Sequence, residues 1–378
     1  MVTNDFPPRP GGIQSFLHNL ALRQPAGSLV VYASTWRGAA TFDAGAPFEV
    51  IRERTGLLLP TPAVARRAEG IARDRGCDTV WFGAAAPLGL LAGGLRTRAG
   101  VSRVVGQTHG HEIGWAALPA ARGLLRRIGD GADVLTYLTG YQRVRLARAL
   151  GDRTALCRLD PGVDTEAYHP GVDGTPVRRR YRLGGRPVVV CVSRLVPRKG
   201  QDALIRALPA VRARVPGTAL LLVGGGPARA SLVRLARRAG VAEHVIFTGT
   251  VPWAGLPAHY AAGDVYAMPC RTRRGGLDVE GLGIVYLEAS ACGLPVLAGD
   301  SGGAPDAVRE GTTGYVVPGR DLAAITDRLV RLLTDRDLAA RMGAAGRDWT
   351  LRQWRWEAQA RRMAALLAGD DTDPGPAG

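Results

Sequence analysis

The chain has 378 residues, 46% hydrophobic and 22% charged, a length for two ordinary domains and a composition that excludes wholesale disorder. No run of about 18 apolar residues occurs, so no transmembrane helix is expected, and the polar, proline-rich start Met1–Pro10 is unlike a secretory signal. Lys+Arg number 49 against 33 Asp+Glu, a net charge of +16 shared evenly between the two halves, which favours nucleic acid, an anionic membrane face or phosphorylated substrates as partners.

Taken in chain order, strand-like runs at Ser28–Ser34, Thr79–Phe82, Arg103–Gln107 and Asp133–Tyr137 alternate with helical patterns such as Ile13–Arg23. Only Val2–Asn4 precede the loop Asp5–Gly12, which is short for a first strand. Residues 160–187 lose periodicity and read as an interdomain linker. A second series follows: strands at Pro187–Val192, Ala219–Val223, His244–Thr248, Val265–Met268, Pro295–Ala298 and Tyr315–Val317, with helices Gln201–Arg214 and Ala228–Ala239 among them. Leu351–Leu367 is an arginine-rich amphipathic helix, and 369–378 reads as a disordered tail. This alternation predicts α/β architecture: two Rossmann-like lobes facing a cleft, 1–165 and 166–350. Ligands then sit at the carboxyl ends of parallel strands.

The five cysteines (77, 157, 191, 270 and 292) are scattered. They suggest neither a disulfide framework nor a zinc site, and they fit a reducing cytoplasm. Lys199 is the one lysine among the 49 basic residues. Codon bias explains many arginines but not the one exception, and a compact ammonium differs from a guanidinium as a phosphate ligand.

Five constellations follow strands. Pro10-Gly11-Gly12-Ile13 lets backbone amides approach a phosphate at a helix start, or is an ordinary turn. Thr108-His109-Gly110-His111-Glu112 offers a histidine as donor or base; metal binding needs further ligands that are not at recognisable spacing. Ser193 to Gln201 brings Arg194 and Lys199 towards a diphosphate, or is a solvated basic turn. Leu222-Val223-Gly224-Gly225-Gly226-Pro227 admits close backbone approach by a ligand or by tight packing. Glu280-Gly281-Leu282-Gly283 leads on to Glu288. Were that spacing wholly helical, the carboxylates would stand about 12 Å apart, beyond the roughly 5–9.5 Å of a glycosidase pair. They suit different parts of one extended ligand, a sugar and a ribose being natural partners.

The pair Glu280…Glu288, with Arg194 and Lys199 upstream, resembles glycosyltransferase family 4. That resemblance covers Thr3 to about Leu367 and implies the GT-B fold, with the last helix crossing back onto the N-terminal lobe. The stretches Asn4–Gln14 and Gly276–Ser290 are similar to the actinobacterial phosphatidylinositol-mannoside mannosyltransferases that use GDP-mannose. The resemblance implies retaining, metal-independent transfer of mannose from GDP-mannose to a phosphatidylinositol mannoside. Gly11 and Gly12 would lie against the diphosphate and sugar. His109 would meet the sugar 6-hydroxyl or the transition state, with His111 as a substitute. Arg194 and Lys199 would neutralise the diphosphate. Val251 would contact the base, Glu280 the sugar hydroxyls, Glu288 the ribose diol, and the backbone after Gly281, through Leu282 and Gly283, the phosphate. Gly224 joins this donor set as a close-approach glycine. No cofactor or divalent metal is expected; the Asp-x-Asp at Asp371-Thr372-Asp373 falls in the tail. The stretch Trp36–Leu59 matches no motif, so donor is better specified than acceptor.

A lipid-linked acceptor in an anionic inner leaflet would draw a +16 protein to the membrane as a peripheral enzyme. Ala117–Ile128 has apolar and arginine faces suited to that contact, or packs as a helix with a solvated basic face. The competing readings are a family 4 enzyme with a UDP-sugar and a different, soluble acceptor; a phosphorylase-like enzyme, for which a pyridoxal lysine is lacking; and a nucleic-acid binder, for which no reader motif is present. Oligomeric state is not encoded in any motif.

Overall fold

The computed structural model of the chain describes residues 1–110, 112–150 and 154–373. It divides into two compact units. Of the described residues, the first comprises Met1–Gly162 and 356–373; the second is Val163–Arg355.

In the first unit, β1 (Val2–Thr3), β2 (Val30–Ser34), β3 (Glu49–Glu53), β4 (Thr79–Phe82), β5 (Arg103–Gly106), β6 (Val134–Tyr137) and β7 (Ala155–Arg158) form a parallel sheet in the order β3-β2-β1-β4-β5-β6-β7. The central strands are buried on both faces, which is why they read as continuous apolar runs. Leu17 and Leu20 of the helix Gly12–Ala21 pack with Val31, Val105 and Val134. Met363 and Leu366 of the helix Trp356–Ala368 join the same core, so the last helix returns to the first unit.

β3 and β7 were not evident from the sequence. Both are edge strands, and β3 carries Glu49, Arg52 and Glu53. An edge strand half in solvent needs no continuous apolar run.

In the second unit, β8 (Val188–Val192), β9 (Ala219–Val223), β10 (Val245–Gly249), β11 (Val265–Met268), β12 (Val296–Gly299) and β13 (Gly314–Val317) form a parallel sheet ordered β10-β9-β8-β11-β12-β13. Both sheets therefore reverse strand order beside their first strand, the point where open α/β sheets leave a crevice.

Three expectations need correction. Residues 160–187 are not a free linker: they hold a helix, Thr175–Arg180, and Tyr168 is buried. Arg347 pins this stretch through the carbonyls of Thr165 and Tyr168, at 3.2 and 2.7 Å. The terminal helix does not run from Leu351 to Leu367. Arg336–Gln353 is one helix and Trp356–Ala368 another. The break falls where Trp354 buries its ring against Trp349 and its carbonyl accepts from Val163 N at 2.6 Å. The expected tail is ordered as far as Asp373. Asp371 pairs with Arg103, and Asp373 accepts from the Tyr137 hydroxyl at 2.8 Å and from Arg158 N at 2.9 Å. Residues 374–378 lie outside the described residues.

Candidate functional site

The crevice of the second unit lies beside β8 and β11, and the loops that leave those strands carry the charged set. Ser193 to Gly200 follows β8. Gly200 adopts φ 79°, and a Cβ there would fall on the Pro269 carbonyl at the end of β11. Glycine at this position thus lets the two loops meet. Gln201, the first residue of the helix Gln201–Arg214, donates to Ser193 Oγ at 2.8 Å and to the Arg194 carbonyl at 3.0 Å, which fixes the loop's course.

Lys199 is buried, and its Nζ stands 2.7 Å from Glu280 Oε2. Glu280 is itself only 5% exposed. Its backbone N–H donates to Ser301 Oγ at 3.3 Å, and its carbonyl accepts from Gly303 N at 3.0 Å, so the β12 loop holds it. Arg198 Nε lies 3.7 Å from Glu280 Oε2 and 3.8 Å from Asp278 Oδ1. The result is a compact ionic group: Lys199 and Glu280 are buried, Arg198 and Asp278 are partly exposed, and Asp278 also pairs with Arg273 at 3.4 Å. Arg194, by contrast, is exposed and makes no ion pair among the described residues.

Arg198, Asp278 and Ser301 were missed. Arg198 and Asp278 flank two chosen residues, and only the fold shows that Asp278 turns towards Arg198. Ser301 follows β12 and had no signal beyond that position.

The segment from Glu280 to Glu288 is not wholly helical. Gly283 is left-handed, at φ 82°, and the helix runs Ile284–Ala291. Gly281 and Gly283 are partly exposed and Leu282 is buried. At the start of that helix Tyr286 N donates to the carbonyl of the cap residue Gly283 at 3.0 Å. Glu288 lies on the helix's buried side, 3% exposed, and its Oε2 accepts from the Tyr260 hydroxyl at 2.6 Å. Burial pushes the Glu288 carboxyl up to about 7, against the opposing pull of the Tyr260 hydrogen bond. Burial, then the Glu288 charge, pushes the Tyr260 hydroxyl upward. Glu280 is thus joined to Lys199, while Glu288 belongs to a separate tyrosine-lined cluster that includes Tyr168 and Tyr266.

Gly224 has φ 135°, and a Cβ there would fall on the Ser193 carbonyl. Leu195 N donates to Gly225 O at 2.8 Å. Close packing of the β8 and β9 loops therefore accounts for these glycines without a ligand. Val251 is partly buried in the loop after β10, and Trp253, two residues on, is 68% exposed. That flat apolar surface was not singled out from the sequence.

In the first unit the crevice lies beside β1 and β4. Gly11 caps the helix Gly12–Ala21, its carbonyl accepting from Ser15 N at 3.1 Å. Gly11 and Gly12 are exposed, so their backbone can be approached. His109 follows β5. Its Nε2 lies 2.6 Å from the Gly83 carbonyl at the end of β4. A carbonyl only accepts, so Nε2 carries a proton and donates. Phe16 packs edge-on against the ring. Glu112 Oε2 accepts from the amides of His109 and Gly110, each at 3.0 Å, which fixes the turn. His111 lies outside the described residues. No group of three or more His, Cys, Asp or Glu placed to hold a metal ion occurs among the described residues. No helix among them is long and apolar enough to cross a membrane.

Residues 176–349 match the family described as Glycosyl transferases group 1. The GDP-mannose-dependent α-(1-6)-phosphatidylinositol monomannoside mannosyltransferase of Mycolicibacterium smegmatis is 56% identical over 374 residues, 98% of each chain. The Corynebacterium glutamicum enzyme named for a monoacylated form of that acceptor is 47% identical, over 98% of this chain and 97% of its own. Among solved structures, Anabaena HepE in complex with UDP superposes with a TM-score of 0.78 at 20% identity, over 97% of this chain and 99% of that one. This last likeness bears on the fold, which is GT-B: two Rossmann-like units.

Proposed function

The chain belongs to the glycosyl transferases of group 1, beside the phosphatidylinositol monomannoside mannosyltransferases, and from that premise we propose that it moves mannose from GDP-mannose to a phosphatidylinositol mannoside. The observation that carries this reading is the buried Lys199–Glu280 pair at the second unit's switch point, 2.7 Å apart. An ammonium for a diphosphate and a carboxylate for sugar hydroxyls meet there, where a sugar and its phosphate leaving group also meet.

The chemistry follows from those charges. The bond between the mannose anomeric carbon and the diphosphate oxygen breaks. The acceptor hydroxyl oxygen bonds the same carbon on the same face, and its proton passes to the departing diphosphate. Negative charge grows on that diphosphate, so Lys199, with the exposed Arg194, stabilises the transition state more than the ground state. These cations do the work a divalent ion does elsewhere, and the reaction runs without one. In the first unit the exposed Gly11–Gly12 backbone and the His109 ring, its Nε2 proton held by the Gly83 carbonyl, are the groups for the sugar and phosphate. Val251 and Trp253 meet the base, and Glu288 the ribose. With +16 net charge the enzyme works peripherally on the anionic inner face of the membrane.

The test is a transfer assay with labelled GDP-mannose and phosphatidylinositol monomannoside in vesicles, with EDTA present. Labelled product is expected with GDP-mannose and not with UDP-glucose. Product with the UDP-sugar alone would overturn the donor, and loss with EDTA restored by manganese would overturn the metal-independent step.

A further inference from the structure

Beside the loops that follow β8 and β11, the helices Gln201–Arg214 and Arg229–Arg238 wall a cavity of about 230 Å³ that the reaction above does not use. Its charged lining is three guanidinium groups, Arg206, Arg238 and Arg271, against one carboxylate, Asp202. Arg271 is the paired one, a terminal nitrogen standing 2.7 Å from Asp202 Oδ1. Arg206 and Arg238 come from different helices, are exposed, and make no ion pair among the described residues. The cavity therefore carries two guanidinium charges in excess. Arg is the side chain suited to binding a phosphate through two parallel N–H bonds. Pro197, Leu232 and Leu235 give the cavity an apolar wall, and Leu232 is buried. An inorganic ion would use the arginines and leave that wall in water. A phosphate monoester with an apolar group would use both. Pockets for drug-sized ligands run to about 300–1,000 Å³, so this one suits a molecule smaller than a nucleotide sugar.

The cavity shares a wall with the Lys199–Glu280 cluster. Pro197 opens the short turn Pro197–Lys199. Arg271 N donates to the Arg198 carbonyl at 2.8 Å, and Arg198 Nε lies 3.7 Å from Glu280 Oε2. A dianion on Arg271 puts negative charge beside the cations that face the donor diphosphate, and like charges at short range oppose one another. We propose that this cavity is a regulatory site for a small phosphate monoester with an apolar group, and that its occupancy weakens donor binding. The coupling rests on the donor reading above; the binding of the monoester does not.

The probe is phenyl phosphate, titrated calorimetrically into the full chain without donor. R206Q/R238Q is compared with R234Q/R237Q, which removes the same charge from exposed positions of the helix Arg229–Arg238 outside the cavity. All four side chains are exposed, so neither variant opens the core. The wild type should bind phenyl phosphate about tenfold more tightly than inorganic phosphate, through the ring on the apolar wall. R206Q/R238Q should lose about tenfold in affinity for phenyl phosphate, the scale of one charged hydrogen bond, and the control less than about twofold. Absence of saturable binding by the wild type would overturn the site. Equal losses in the two variants would reduce the effect to diffuse charge and overturn it too. Equal affinity for the two anions would overturn the monoester and leave a free-phosphate site. The second arm measures GDP affinity with phenyl phosphate at a concentration that saturates the wild type. The GDP dissociation constant should rise about fivefold in the wild type and the control, and stay unchanged in R206Q/R238Q. An equal rise in R206Q/R238Q would mean that phenyl phosphate competes inside the donor site, which overturns the proposal. No rise in the wild type would overturn the regulatory role. Were GDP not to bind at all, the donor reading and the coupling would fall together, while the site itself stands or falls on the first arm.

Discussion

The two units place their chemistry at the same topological point and build it from opposite materials. At the β8/β11 crevice the second unit buries ions: Lys199 against Glu280, with Arg198 and Asp278 alongside. At the β1/β4 crevice the first unit uses exposed glycine backbone and one histidine tied to a carbonyl. A buried ion network is organised before a ligand arrives and responds strongly to charge. A backbone cradle with a single ring responds to shape. On the proposed reading, the charged half grips the donor diphosphate, and the neutral half meets the sugar and tolerates a variable acceptor.

The sharpest way to break that contrast is at Lys199. Lys199→Met leaves the buried Glu280 carboxylate with only the partly exposed Arg198 guanidinium, 3.7 Å away, which should cost about 3 kcal/mol of stability, and kcat/KM should fall by about 10³. Lys199→Met/Glu280→Gln should regain most of the stability in urea unfolding and none of the activity. Recovery of activity in the double variant would show that the pair is scaffold rather than machinery.

Glu288 gives a pH signature. Its pKa is raised from the ordinary 4.5 to about 7 in the folded chain. The folded state therefore holds this proton more tightly than the unfolded one. The associated stability is full below the unfolded value and is lost as pH rises through about 7. Glu288→Gln removes that loss, and should be more stable than wild type at about pH 8 by about 3 kcal/mol. The advantage should vanish towards about pH 4. Parallel urea midpoints of the two proteins across this range would contradict the buried carboxyl.

His109 probes the neutral half. His109→Ala should lower kcat by about 10² while the GDP dissociation constant, measured by calorimetry, stays unchanged. A matching fall in GDP affinity would move His109 to the donor side and blur the contrast between the units. The smallest effect concerns the ordered chain end. Asp371→Asn loses the partly exposed pair with Arg103 and should cost about 1 kcal/mol or less. Transfer activity should not change. Identical unfolding curves would mean the segment contributes nothing.

The fold was readable where strands are central. Val188–Val192 and Ala219–Val223 are buried on both faces, so their burial is written as apolar runs. It was unreadable at Glu49–Glu53, where an edge position frees the sequence from that pattern. The site followed the same division. Lys199 stood out as the single lysine, and Glu280 and Glu288 by their spacing and setting. That Lys199 pairs with Glu280, while Glu288 turns to Tyr260 behind it, needed the left-handed Gly283 to break the helix between them.

The sequence by itself determined the alternation of strands and helices, the two-unit α/β class, the unique lysine and the glutamate motif, because local composition and short-range order suffice for these. Only the tertiary structure decided which charges share a proton environment, which glycines serve packing, and where arginines outnumber acids. Those outcomes depend on residues far apart in the chain. The β8 and β11 loops meet because Gly200 lets them touch, and Arg206 and Arg238 share a cavity because separate helices wall it. Burial then sets how strongly each charge counts, and burial is a property of the folded chain alone.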